Sequence, residues 1–298
     1  MIEANKPRCG NKKGNSGIPS CDFNPGRITG SILIRKGQEL SGEELEDVID
    51  TLKKRAQGDV KKRVYPVFHF GTITDNSTEP TSENLGVGYD RFLNEGTYNF
   101  TFILANGKLC YAKQLRNFNG DAYDAFLVLD NGLFGVKTRD GNVRGFTMSQ
   151  FYLSKFTVAT DTTSARFNVN MVFPKPEEFN DDPFYIDTEQ DISYEVKGIL
   201  DYEIVQKTAS AEKVTVDIVG KCDKASILEM YGNELADENL WNGATAVVLE
   251  NGLLSFTGEY SNGAVISCVD VEKLAEKGIG GFPEYGVEIS PLTVKITE

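Results

Sequence analysis

The chain has 298 residues, enough for one large domain or two ordinary ones. Hydrophobic residues make up 40% and charged residues 25%, which excludes global disorder. The net charge of −13, with a pI near 4.7, excludes sequence-independent nucleic-acid binding unless a local basic patch supplies it.

Residues 1–27 read as an extended arm, with Lys6, Arg8, Lys12, Lys13 and Arg27 set against only Glu3 and Asp22. So little apolar area cannot fold alone, and such an arm is expected to lie on a neighbouring subunit. The start, Met1 to Cys9, lacks the apolar stretch of a signal peptide. No apolar run reaches the ~18 residues a membrane span needs. A protein that acts inside a cell, or leaves it by lysis, is expected.

Ile28 to Arg35 is β-branched and alternating, so it predicts a strand. Ser41 and Glu44 then form a capping box, with Leu40 and Leu45 placed as a hydrophobic staple. Leu45, Val48, Ile49 and Leu52 follow at helical spacing, and Lys53, Lys54 and Arg55 precede Gly58. This predicts a helix over 42–57 with one buried stripe. Val64 to Phe70 predicts a strand, and Pro66 within it predicts a sheet edge. Thr72 to Tyr89 is polar and reads as a long loop. Tyr98, Phe100 and Phe102 alternate with polar residues as a strand, as do Phe167, Val169, Met171 and Phe173.

Asn-Gly pairs at 106–107, 131–132 and 251–252, each between apolar runs, predict hairpins with type I′ turns. Asp140-Gly141-Asn142 predicts another turn. Residues 174–191 gather Glu177, Glu178, Asp181, Asp182, Asp187, Glu189 and Asp191, with no base between the first and last of these acids, a solvated loop or a calcium-binding one. The order of these acids is not that of an EF-hand. Ile192 to Val205 predicts a long strand, and Lys207 to Ala211 a linker. From 212 the pattern restarts: a strand at Val214–Ile218, a short helix through 225–231, the third hairpin, a segment at 264–269, a helix at 271–276 and a last strand at 292–296. The expected division is an arm at 1–27, a main β-domain at 28–211 and a C-terminal β-domain at 212–298.

Residues suited to catalysis are sparse. Histidine is the usual general base near neutrality, and the chain has only His69, inside a strand pattern. No metalloprotease, nucleophile-elbow or phosphate-loop motif is present, and Gly86-Val87-Gly88 lacks the third glycine of a dinucleotide fingerprint. The one tryptophan, Trp241, reads as a core residue. The five cysteines, at 9, 21, 110, 222 and 268, are odd in number and widely spaced, which argues against a disulfide framework. Cys110 and Cys268 read as small core residues in strands. Cys9 and Cys21 could pair or bind zinc, though zinc would need further ligands. No catalytic residue, cofactor or metal ligand is assigned, and a non-enzymatic protein is expected.

The layout resembles a virion structural protein of a tailed bacteriophage, most closely a tail tube protein, in the style of phages of Bacteroides-type hosts. The resemblance rests on the basic, glycine-rich arm (Cys9-Gly10-Asn11-Lys12-Lys13-Gly14) and the single amphipathic helix opened by Ser41-Gly42-Glu43-Glu44-Leu45. It rests also on the run of antiparallel strands with a large polar loop that includes Gln114 to Gly120. The final piece, closing with Pro291 to Ile296, is similar to the immunoglobulin-like domains such proteins carry. The resemblance implies a mainly β fold: an antiparallel barrel or sandwich with one packed helix, plus the small immunoglobulin-like domain. It implies homo-oligomers in stacked, hexameric rings, contacts with other virion proteins, DNA passing non-specifically through the lumen and no membrane. Assembly would take place in the host cytoplasm. Another assembly or decoration protein (head fibre, terminator or baseplate part) and a glycan- or protein-binding β-module are the alternatives.

Overall fold

The computed structural model describes residues 26–104, 109–130, 132–181, 183–280 and 285–296. The arm up to residue 25, with Cys9 and Cys21, lies outside them, as do the Asn106–Gly107 turn, Asn131 and Asp182. The chain divides into two compact units, Met1–Val196 and Lys197–Glu298.

The first unit begins with β1 (Ile28–Arg35), β2 (Glu39–Leu40), α1 (Val48–Gln57), β3 (Val64–Phe68), β4 (Phe70–Asp75), β5 (Thr81–Asn84), β6 (Asp90–Asn94) and β7 (Tyr98–Leu104). It continues with α2 (Leu109–Leu115), β8 (Tyr123–Leu129), β9 (Gly132–Lys137), β10 (Val143–Arg144), β11 (Phe146–Thr147), β12 (Gln150–Leu153), β13 (Phe167–Phe173), α3 (Glu177–Asn180), β14 (Pro183–Asp187) and α4 (Ile192–Glu195). The strands form an eight-stranded sheet, ordered β2-β10-β9-β8-β1-β3 with β11 on β8 and β14 on β9, and a four-stranded sheet, ordered β12-β13-β7-β4.

The larger sheet is the middle layer. Leu33, Ala125 and Leu127 share a core with Phe102, Phe151, Val169 and Met171 of the four-stranded sheet. Ile32, Ile34, Phe126 and Val128 turn the other way, into a core with Val48, Leu52 and Ala56 of α1. Covering both faces explains why β8 reads as a nearly continuous apolar run, and why β1, predicted to alternate, is buried without a break from Gly30 to Ile34. Each large apolar side chain so buried contributes about 1.5–3 kcal/mol.

The capping box is formed: the Ser41 amide donates to Glu44 Oε2 at 2.8 Å, and the Glu44 amide donates to Ser41 Oγ at 3.4 Å. It holds a turn rather than regular helix, and α1 starts only at Val48, capped by the Asp47 side chain. Pro66 lies on an edge strand as expected, because β3 ends the large sheet. The predicted strand over 64–70 is broken at His69, whose φ of 66° separates β3 from β4.

Other expectations are corrected. The 72–89 segment is not a loop but the end of β4, all of β5 and a turn. Gln114 to Asn119 is helical turn rather than polar loop, formed by the end of α2 and a 3-10 turn at Arg116–Phe118. Cys110 lies in α2, not in a strand, and Cys110 and Cys222 each take part in a disulfide, so wide spacing did not exclude cross-links. The acidic stretch 174–191 holds α3 and β14.

The second unit comprises β15 (Ile199–Ala209), β16 (Lys213–Gly220), α5 (Leu228–Leu235), β17 (Trp241–Asn242), β18 (Ala246–Glu250), β19 (Leu253–Thr257), β20 (Val265–Cys268), α6 (Val271–Glu276), β21 (Gly286–Ser290) and β22 (Leu292–Thr293). A five-stranded sheet, β18-β19-β16-β15-β21, and a three-stranded one, β17-β20-β22, enclose a core of Val216, Ile218, Leu254, Phe256, Ile266 and Trp241. Trp241 is buried, and its indole N–H donates to the Leu235 carbonyl at 2.8 Å. Asn251 and Gly252, at φ 52° and 76°, make the β18–β19 turn that the sequence predicts. The expected linker at 207–211 is instead the end of β15 and its turn into β16, so the unit starts at Lys197 rather than at 212. Ile192 to Glu195 is α4, not strand.

Candidate assembly surface

The four-stranded sheet has one face on the core and one turned away from it. Cross-strand partners share a face, so the register assigns the outer one. Thr74 pairs with Thr101, and Thr101 with Asn170, which pairs with Tyr152. Ile103 pairs with Asn168, and Asn99 with Val172, which pairs with Gln150. None of these side chains is charged, in a chain in which a quarter of all residues are. Hydrogen bonds fix part of this face: the Asn76 amide donates to Thr101 Oγ1 at 2.9 Å, and that hydroxyl donates to Asn170 Oδ1 at 2.6 Å.

The edge formed by β4 and β7 runs on past the sheet. Thr78 bridges to Thr97, and beyond them β5 and β6 pair as a separate two-stranded sheet. Every residue of β5 and β6 is exposed. A two-stranded hairpin with neither face covered is marginal in water. Gly96 anchors its root. At φ 86°, a Cβ there would sit 2.0 Å from the Thr78 carbonyl oxygen, so only glycine allows the strands this close.

The tip is unusual. Gly86, Val87 and Gly88 all have positive φ, at 82°, 57° and 80°. Glycine accepts that region freely, but a β-branched valine does not, and holding it there costs about 1–3 kcal/mol. The turn is closed by the Leu85 amide donating to the Tyr89 carbonyl at 2.8 Å and the Gly86 amide donating to Asn84 Oδ1 at 2.8 Å. Val87 is 98% exposed, and Leu85, Tyr89, Phe92 and Leu93 are exposed with it.

At the opposite edge of the same sheet, the outer side of β12 is already occupied. Phe151 exchanges backbone bonds with Gly120 at 2.9 and 2.8 Å, and the Leu153 amide donates to Asn119 Oδ1 at 3.1 Å. Beyond it the 154–166 connection displays Phe156 and Val158, with Tyr152 exposed nearby. Phe156 rests on Phe167 at a ring distance of 5.1 Å, which fixes its position.

The acidic segment resolves into a structural contact. Glu178 is buried, although its neighbours in sequence suggest a solvated loop. Arg144 Nη2, the Thr147 amide and the Thr147 hydroxyl each donate to its carboxylate at 2.7 Å, and Lys175 Nζ lies 3.5 Å away. Burial alone pushes this carboxyl up, but the Arg144 and Thr147 bonds outweigh it and the pKa falls below its ordinary value. Phe179, beside it, stacks on Phe146 at 3.9 Å. Among the described residues no three metal-binding side chains gather, so the calcium reading of 177–191 finds no cluster there. His69 is exposed at its strand break, and Cys268 is a free thiol whose pKa burial pushes up to about 12. No described helix is long and apolar enough to cross a membrane.

No protein-family model matches the chain, and neither a curated protein nor a solved structure matches it. The sequence carries no strand pattern at 81–94, only Leu85, Val87, Tyr89, Phe92 and Leu93 set among Gly86, Gly88 and Gly96, a sign of apolar surface but not of a hairpin.

Proposed function

We propose that this protein is a self-assembling structural component of a virion, most like a tail tube subunit, with no catalytic step of its own. The observation that carries the reading is the 81–94 hairpin, which leaves the sheet edge and exposes both faces together with an apolar tip. Exposed apolar surface on an unsupported hairpin favours association, since the contact removes that area from water. Homo-oligomeric rings that stack would place it against a neighbouring subunit. The uncharged outer face of the β12-β13-β7-β4 sheet suits a lumen for DNA. It offers no fixed cation to hold phosphate, while the net negative charge of the chain discourages adhesion elsewhere. The second unit takes the part of the small immunoglobulin-like domain that such subunits carry.

The same amide- and hydroxyl-rich face supports a second reading, a glycan-binding module. Negative-stain electron microscopy with light scattering separates the two. Rings or tubes of uniform width are expected of the tube subunit. A monomer at every concentration, with a melting temperature raised by an oligosaccharide, would replace that reading with the second.

A further inference from the structure

Resting on the self-assembly reading, we propose that Val87 is the anchor of the subunit contact, and that the hairpin tip seats on the Tyr152–Phe156–Val158 shelf of a second copy of this chain. Three observations lead there. Val87 holds a left-handed conformation that its side chain disfavours, yet it is 98% exposed and makes no compensating contact within its own subunit. A strained, protruding apolar side chain suits insertion between side chains of a partner. The shelf displays the complementary feature, aromatic and aliphatic side chains on a connection whose root is fixed by the Phe156–Phe167 contact.

Charge matches as well. Glu79, Glu83, Asp90 and Glu95, against Arg91 alone, make the hairpin negative, whereas Lys155 and Arg166, against Asp161, make the 154–166 connection positive. Opposite fields of this kind select partner and register. Geometry sets the mode of contact. Because Asn119 and Gly120 already occupy the outer edge of β12, the hairpin does not add there as a strand, and the contact is made by side chains. Hairpin and shelf lie at opposite edges of one sheet, so one contact leaves each partner with a free surface of the other kind. Such a heterologous contact repeats into rings or filaments.

The test is sedimentation velocity of the full chain over a concentration series, with Val87→Asp, Val87→Gly, Lys155→Glu and the charge swap Glu83→Lys/Lys155→Glu. Val87→Asp and Val87→Gly are expected to raise the concentration for half-assembly about tenfold or more, the weight of a buried anchor. Lys155→Glu is expected to weaken assembly and the swap to restore it. Thermal melts equal to wild type show that the variants fold. Val87→Gly is the stringent case, because it relieves the backbone while deleting the side chain, and assembly at the wild-type concentration would overturn the anchor. A photo-crosslinker at position 87 should give adducts within 152–166 of a second copy. Adducts elsewhere, or only to an added protein, would overturn the shelf. A wild-type chain that stays monomeric throughout overturns the self-assembly reading itself, whereas assembly indifferent to all four variants overturns only this inference.

Discussion

The guanidinium of Arg55 holds both carboxylate oxygens of Glu44, Nε to Oε1 at 2.9 Å and Nη2 to Oε2 at 2.8 Å, and so ties the end of α1 to the turn that precedes it. Arg55 also donates to the Glu39 carbonyl at 3.0 Å. Burial pushes the Glu44 carboxyl up, but the Ser41 amide and Arg55 outweigh it, and the pKa lies below its ordinary value. A lowered carboxylate stabilises the fold above the pH at which it would titrate unfolded, and that contribution is lost as pH falls through the folded value. Arg55→Ala should therefore cost about 1–2 kcal/mol at pH 7, because charge-assisted bonds are lost in a partly exposed pair. Arg55→Lys keeps the charge but not the fork, and should cost less. Urea titrations at pH 7 and pH 3 check this. A deficit as large at pH 3 as at pH 7 would refute the ionic part of the contact.

Glu178 predicts a larger effect of the same sign. Its carboxylate is buried and satisfied by Arg144 and Thr147, so truncation leaves the Arg144 charge without its partner. Removing one partner of such a pair costs about 3 kcal/mol. Glu178→Ala should lower the stability of the first unit by about that much, and Glu178→Gln by less. Amide exchange at Thr147 gives the local readout, since its N–H loses its acceptor. Trp241 fluorescence reports the second unit alone, and a shift confined to it would contradict the assignment.

Asp124 predicts the opposite sign. It is 3% exposed, its Oδ1 has no hydrogen-bond partner, and Oδ2 accepts a long bond of 3.3 Å from the Gly37 amide. Burial raises its pKa despite the Gly37 and Met148 amides and the charges of Lys36 and Arg144. A raised folded pKa means that the contribution is full below the unfolded value and lost as pH rises through the folded one. Asp124→Asn removes that loss, and should gain about 1 kcal/mol at pH 7. The gain should fade toward pH 3, where Asp124 is protonated in either state. A variant less stable than wild type at pH 7 would show that the ionised carboxylate is needed.

Ser41 and Glu44 announced a capped turn because a capping box is local chemistry, complete within a few residues, but α1 itself begins later, at Val48 under the Asp47 side chain. Asn251-Gly252 announced its hairpin for the same reason. The 81–94 hairpin was not legible, because strands exposed on both faces need no apolar alternation and so carry no period-two signal. Residues 207–211 read as a linker since they are small and polar, yet they end and turn a strand whose pairing with β16 and parallel β21 is invisible locally. Glu178 looked solvated because Arg144, the residue that satisfies it, is far off in sequence. Local chemistry thus located the helix and turns, while burial and the assembly surface depended on pairings between distant segments.

Gly96 supplies a test of how far the hairpin is independent of the core. A Cβ there meets the Thr78 carbonyl oxygen at 2.0 Å, and its φ of 86° disfavours any other residue. Gly96→Ala should destabilise the root of the excursion by about 1–3 kcal/mol, through both the clash and the backbone. The strands beyond it bury nothing, so the cost should stay local. Limited proteolysis should then cut within 79–95 markedly faster, with the melting temperature nearly unchanged and assembly weakened. A large fall in melting temperature would mean instead that the hairpin root supports the folding of the whole four-stranded sheet, through the β4–β7 pairing that it continues.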